Sequence, residues 1–204
     1  MSKDIVTVIK SVNYSEADKI LTVFGKYNGK FSIIAKGIRK ITSKNRGNMQ
    51  TLCTSEISYY EGKGLPILTE SQLVSSPDVD SHINIENVGR LLYILNKFLA
   101  EGEHNLKIFN LLQLVLVEDL TIERINKFRL RVLKELGFLS DFNMCSVCHS
   151  KDNLQYFNPN DFSVLCNNCY SIKSKGVKLD KDIYSNTVFT ESLDKYIKKI
   201  VEEI

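Results

Sequence analysis

Lys19-Ile-Leu-Thr-Val-Phe-Gly-Lys-Tyr-Asn-Gly-Lys-Phe-Ser-Ile-Ile-Ala-Lys-Gly-Ile38 decides the fold class of the first part of the chain. Two β-rich runs, Lys19 to Tyr27 and Lys30 to Ile38, flank Asn28-Gly29. That dipeptide accepts positive φ at both centres of a type I′ turn and so predicts a two-residue hairpin. Ile5 to Val12 forms a further run before it, while Leu52 to Tyr60 and Pro66 to Val74 form a second hairpin across Glu61-Gly-Lys-Gly64. Five short strands with no helix long enough for a parallel crossover predict a small antiparallel barrel of the OB or SH3-like kind.

Near Ser75-Ser-Pro77 the apolar period changes from two to three and four. Leu91, Leu92, Leu95, Phe98 and Leu99 mark one amphipathic helix, and Phe109, Leu112 and Leu116 a second. Ile122, Ile125, Phe128, Val132, Leu133 and Leu136 mark a third, with Thr121 as N-cap and Gly137 as its left-handed stop. Leu193, Ile197, Ile200, Val201 and Ile204 mark a last helix. The expectation is a mixed α+β chain: a barrel over residues 1–76, then an all-α domain over 77–204 that carries a cysteine-rich insert at about 140–172.

That insert holds Cys145-Ser-Val-Cys148 and Cys166-Asn-Asn-Cys169, two C-x-x-C knuckles separated by seventeen residues. Two intervening residues let one tight turn aim both sulfurs at one ion, and the longer gap lets a hairpin bring back the second pair. The spacing points to a structural zinc site rather than to unliganded or redox-active thiols, and four cysteines leave no open position for catalysis. His149 is expected outside the ligand set, and Cys53 as a small core residue in a strand.

The 204 residues are 43% hydrophobic and 25% charged, a balance that argues against intrinsic disorder. The longest apolar stretches, Ile5 to Ile9 and Leu111 to Val117, fall far short of the ~20 residues of a membrane span. Met1-Ser-Lys-Asp-Ile5 lacks the apolar core of a secretory signal, so a cytoplasmic protein with reduced or metal-bound cysteines is expected.

The formal net charge of +3 is unevenly spread, because residues 1–76 hold 11 basic against 6 acidic residues. Between Lys19 and Arg46 stand eight basic residues and no carboxylate. Lys36, Arg39, Lys40, Lys44 and Arg46 crowd one loop, a field that a polyanion would feel, although such runs are often only solvated surface. Tyr14, Phe24, Tyr27, Phe31, Tyr59 and Tyr60 lie nearby in sequence; cations and flat rings together hold single-stranded nucleic acid. Alternation assigns Phe24 and Phe31 to the core and exposes Tyr14, Tyr27 and Tyr59 or Tyr60.

Catalysis finds little support. His82, His104 and His149 are scattered, no phosphate loop is present, and Glu16 and Asp18 read as turn formers. An enzyme is not expected. Two rivals to nucleic-acid binding remain: a zinc-stabilised adaptor that binds only protein, and a thiol oxidoreductase using one C-x-x-C pair.

Several segments, in this order, resemble the bacterial RecO family of recombination mediators. They are Tyr14-Ser-Glu-Ala-Asp18, Gly29-Lys30, Ala35-Lys36-Gly37, Tyr59-Tyr-Glu-Gly-Lys-Gly-Leu65 and Phe128-Arg-Leu-Arg-Val-Leu-Lys-Glu-Leu-Gly-Phe138, followed by the four cysteines with Tyr156-Phe157 between them. The resemblance implies an N-terminal OB-fold, a helical domain and a structural Zn2+ site on Cys145, Cys148, Cys166 and Cys169, in a cytoplasmic, nucleoid-associated protein without enzymatic turnover. It implies binding of single- and double-stranded DNA, annealing of complementary strands, and loading of RecA together with RecR and SSB in recombinational repair. The DNA surface would fall on Lys36, Arg39, Lys40, Lys44 and Arg46, with Lys26 and Lys30 as weaker members. Lys127, Arg129, Arg131 and Lys134 are candidates for an acidic SSB tail.

The chain departs from the family pattern where glycines often follow the second cysteine and precede the third. His149, Phe162 and Ser163 stand there, so a differently shaped hairpin around the metal is expected. Family members also commonly continue past the last helix with a basic segment, whereas Val201-Glu-Glu-Ile204 ends this chain, so a contact made by that tail is not carried over.

Overall fold

The structure, a computed structural model, describes residues 1–77, 84–139, 142–173, 177–180 and 182–203. His82, Ile204 and residues 140 and 141 of the expected metal element lie outside them. Strands β1 (Ser2–Tyr14), β2 (Asp18–Gly25) and β3 (Gly29–Ala35) are followed by a one-turn helix α1 (Asn45–Asn48), then β4 (Thr54–Tyr60) and β5 (Ile67–Ser75). They close a barrel in the order β1-β2-β3-β5-β4, the OB arrangement expected from the sequence. Closure corrects one detail, since β3 and β5 run parallel through the single pair Ile34 and Ile67. Five strands in a ring cannot all alternate in direction, so one seam has to be parallel.

The first hairpin is also wider than expected. Gly25 pairs with Gly29, which leaves Lys26, Tyr27 and Asn28 in the turn, and only Gly29 of the Asn-Gly pair takes a positive φ. The cause is tertiary. The buried Asp4 carboxylate accepts hydrogen bonds from the backbone N–H of Tyr27 and Asn28 and from the Asn28 side-chain amide. A carboxylate gathering several donors is strongly stabilised, and it outweighs the local preference for a two-residue loop.

Gly29, at φ 66°, lies so close to the Glu103 carbonyl that a Cβ would overlap it. Gly29→Ala is therefore expected to destabilise the protein by roughly 2–5 kcal/mol, from left-handed strain and forced displacement together. Urea unfolding measures this, and an unchanged midpoint would show that the loop at Glu103 yields freely.

Val6, Val8, Leu21, Val23, Ile33, Ala35, Ile57 and Tyr59 fill the barrel, and Ile38 and Met49 join them from the β3–β4 connection. Tyr59 is thus core, while Tyr60, Tyr14 and Tyr27 are exposed. Phe24 is fully buried, but its ring contacts Phe109 of helix α3 at 5.8 Å, and Phe31 stands half-buried against Tyr59. Cys53 is buried in the turn before β4 rather than within a strand.

Helices α2 (Ile85–Phe98) and α3 (Leu106–Leu116) form one compact unit with the barrel, spanning Met1–Leu120. The reason is polar as well as apolar. The Asn96 amide donates to the Ile9 carbonyl, and Gln113 donates to Thr7 and accepts from Thr54.

The second unit spans Thr121–Ile204. Helix α4 (Ile122–Glu135) begins with the Thr121 hydroxyl accepting from Arg124 N–H and is followed by Gly137 at φ 78°, the cap and stop read from the sequence. Then come β6 (Leu154–Asn158), β7 (Ser163–Cys166), α5 (Asn167–Lys173), β8 (Val177–Lys178), a 3-10 turn (Ile183–Ser185) and α6 (Thr187–Glu203). The unit is not purely helical, because β7, β6 and β8 make a small sheet. Phe157, Phe162 and Phe189 pack ring against ring at 4.9–5.5 Å beneath it. Among the described residues no helix is long and apolar enough to cross a membrane.

Candidate functional site

Two features of the fold carry chemistry, one in each unit. The first is the connection that follows β3. Its basic residues are not on a free loop, because Gly37 N–H donates to the Asp18 carboxylate at 2.7 Å and Arg39 N–H donates to the Ala17 carbonyl at 3.0 Å. The Arg39 guanidinium donates to the Glu16 carbonyl at 2.9 Å. Ile38 and Met49, 3% and 2% exposed, peg the segment into the barrel core from either side. Glu16 and Asp18 thus shape the turn, as the sequence suggests, and hold the basic segment against the β1–β2 loop, one of the loops with which OB-folds bind oligonucleotides.

Lys36, Arg39, Lys40, Lys44 and Arg46 all project from this anchored segment into solvent. Tyr14, half exposed at the end of β1, and Ile41, at 89% exposure, add apolar surface beside them. The other two candidate cations belong elsewhere. Lys26 and Lys30 lie at the far end of the β2–β3 hairpin, about 20 Å along the strands at about 3.3 Å per residue. Lys30 is moreover buried, its ammonium donates to the Asn96 carbonyl at 2.9 Å, and desolvation lowers its pKa. It holds α2 to the barrel and presents no charge to a surface ligand. Sequence distance misled here, because a hairpin carries neighbours in the chain to opposite ends of the sheet.

The second feature is the cysteine cluster. Cys145 and Cys148 flank a tight turn closed by His149 N–H donating to the Cys145 carbonyl at 2.9 Å; Cys166 ends β7 and Cys169 lies in α5. Register pairs Leu154 with Cys166, and Ser146 N–H donates to the Val164 carbonyl, so the hairpin brings the second knuckle onto the first. All four sulfurs lie within 4.8 Å of one another, and Cys148 and Cys166 are 3.7 Å apart. A tetrahedron with metal–sulfur bonds of about 2.3 Å has edges of about 3.8 Å, whereas a disulfide would need about 2.05 Å. The donor set therefore fits one tetrahedral ion.

Burial works to raise the Cys145 thiol pKa, but backbone N–H groups of Cys148, Cys166 and Val147 outweigh it and bring the value to about 6. Desolvation and the neighbouring sulfurs push Cys169 up to about 12. One thiolate forms readily and the last only with a cation to share its charge. His149 is exposed and outside the cluster. It and Phe162 hold φ of 57° and 52°, the left-handed conformation that glycine takes most readily.

Of the cations considered for an acidic peptide, Arg129 is buried and paired with Asp194, and Lys127 is paired with Glu123. Arg131 and Lys134 are exposed.

Comparison with known proteins places the chain among relatives over most of its length. The family profile described as Recombination protein O N terminal matches residues 1–77, and that described as Recombination protein O C terminal matches residues 88–185. A DNA repair protein RecO of Syntrophomonas wolfei is 31% identical over 187 residues, covering 86% of this chain and 72% of the relative. One of Clostridium perfringens is 30% identical over 209 residues, covering 97% and 84%.

Proposed function

The chain belongs to the recombination protein O (RecO) family, and on that premise we propose that it is a DNA-binding mediator of recombinational repair. It anneals complementary single strands and, with RecR, helps load RecA onto SSB-coated DNA. The observation that carries this reading is the anchored segment at the barrel end, with five exposed cations and no carboxylate between Lys19 and Arg46. Complementary strands repel each other through their phosphates. A protein that neutralises phosphates on both strands lowers that repulsion while the bases find register, and it does so by binding rather than by turnover. Exposed Tyr14 offers a ring for sequence-tolerant stacking.

The ion in the cysteine cluster is zinc, and its part is structural. Four thiolates complete its tetrahedron and leave no position for water or substrate. Cys145, Cys148, Cys166 and Cys169 hold it, and through it the β6–β7 hairpin is tied to α5. Exposed Arg131 and Lys134 offer the cations for an acidic, carboxylate-ended SSB tail.

The test is annealing of two labelled complementary oligonucleotides followed by energy transfer over a range of salt. Acceleration that fades as salt rises is expected, and repeating it on SSB-coated strands with RecR tests the partner half of the reading. No acceleration and no binding even at low salt would move the assignment to a protein-only adaptor.

A further inference from the structure

Beside the anchored segment the barrel end carries a depression of about 280 Å³. Asn13 and Lys19, register partners in β1 and β2, form one wall; Arg39, Arg46 and Gln50 form the other. Ile38 and Met49, both buried, make the floor. Lys19 was not among the cations expected to meet DNA, and Asn13 and Gln50 carry no charge to draw attention in the sequence.

We propose that this pocket is a discrete binding site for one phosphate group of a nucleic-acid backbone. The inference rests on the DNA-binding reading above and deepens it, by separating one built subsite from the general basic field.

Three arguments support it. First, three cations from three different elements converge, no carboxylate lines the pocket, and none of the three forms an ion pair among the described residues. Like charges held together repel, and a bound anion relieves that repulsion. Second, the geometry is preset. The Arg39 guanidinium is held by the carbonyls of Ser15 and Glu16, strand pairing fixes the backbone of Lys19, and Gln50 donates its side-chain amide to the Arg46 carbonyl. Arg39 and Gln50 therefore have less side-chain freedom to lose on binding. Third, the lining suits a phosphodiester better than a base. No aromatic ring borders the pocket for stacking, and its volume sits just under the ~300 Å³ at which small-molecule pockets begin. Arginine and lysine neutralise and fork onto phosphate oxygens, and side-chain amides complete the set of donors. Such a site fixes the register of the strand on the barrel and is indifferent to sequence.

Two measurements test this. Inorganic pyrophosphate is titrated into the isotope-labelled full chain at constant ionic strength; saturable shifts at Lys19, Arg39 and Arg46, lost in Lys19→Gln/Arg46→Gln, are expected, and shifts spread evenly over all surface cations would overturn the proposal. Binding of a labelled oligothymidine is then compared between that pair and Lys36→Gln/Lys40→Gln, which lies outside the pocket. The pocket pair is expected to reduce the log-log salt slope by about 0.7, the value for the one phosphate contact the pocket makes, and to abolish competition by pyrophosphate beyond that of chloride at equal ionic strength. If the pocket pair keeps the parent affinity and slope while the outer pair loses them, the pocket is not a phosphate site although the DNA reading stands. If the parent protein binds pyrophosphate at the pocket but no oligonucleotide at low salt, the anion site stands and its assignment to DNA fails. Thermal unfolding of both variants separates lost binding from lost fold.

Discussion

Chelation of the zinc-loaded protein is expected to unfold the element around residues 142–173 while leaving the barrel and helices α2 and α3 intact. Structural zinc sites contribute about 10–16 kcal/mol of apparent binding energy in small finger peptides, as much as the whole stability of many domains. Here that energy falls on a segment whose core around the cysteines is small, Leu165 with Leu154 and Tyr156 at the edge, while its other buried rings, Phe157 and Phe162, pack on Phe189 of α6. The stacked rings of Tyr156 and Tyr170, 3.7 Å between centroids, join a strand and a helix that each carry ligands or their neighbours, so they should separate when the ion leaves. Hydrogen exchange reads the result directly. Amides of β6 and β7 should lose protection together with one equivalent of zinc, while those of β1 to β5 keep theirs. Protection that persists after the metal is removed would show that the aromatic cluster of Phe157, Phe162 and Phe189 holds the hairpin alone. Loss of DNA binding with the fold unchanged would place the metal element in contact with DNA.

The second large effect is on DNA affinity. Replacing Lys36, Arg39 and Lys40 together by Gln removes three of the five cations of the anchored segment. At about 0.7 per contact, the log-log slope of single-strand binding against salt should fall in magnitude by about 2.1, and affinity at 0.1 M salt by about a hundredfold. Arg39 also ties the segment to the β1–β2 turn, so the double variant without it is the cleaner measure of charge alone. It should give about two-thirds of the slope change with the unfolding midpoint unmoved. A triple variant with the parent slope would mean that the basic segment is solvated surface and that DNA, if bound, lies elsewhere.

Much of the fold was legible locally. Period-two runs and a change to period three and four near Pro77 predicted the five strands and four helices, of which the last, expected to be short, runs for 17 residues. Thr121 and Gly137 bounded α4 because capping is decided within a turn of chain. What local reading missed has a common cause. Asp4 lies more than twenty residues from the hairpin turn that it reshapes, and a residue far along the chain leaves no mark on a dipeptide preference. Tyr59 faces inward where Tyr60 faces out, a choice that period two poses without answering. Helices α2 and α3 join the barrel through Asn96 and Gln113, polar residues that a search for apolar stripes passes over.

The two candidate sites divide along the same line. The clustering of the four cysteines was legible in the sequence itself, because a C-x-x-C turn is a local object and two of them at a hairpin's separation can meet in few ways. The basic segment was visible as charge, but which charges act together was decided only in the folded chain. Strand pairing sent Lys26 and Lys30 to the other end of the hairpin, burial took Lys30 out of reach, and the same pairing brought Lys19 and Asn13 to Arg39 and Arg46. Electrostatic fields add over distance in space, and only the tertiary structure sets that distance.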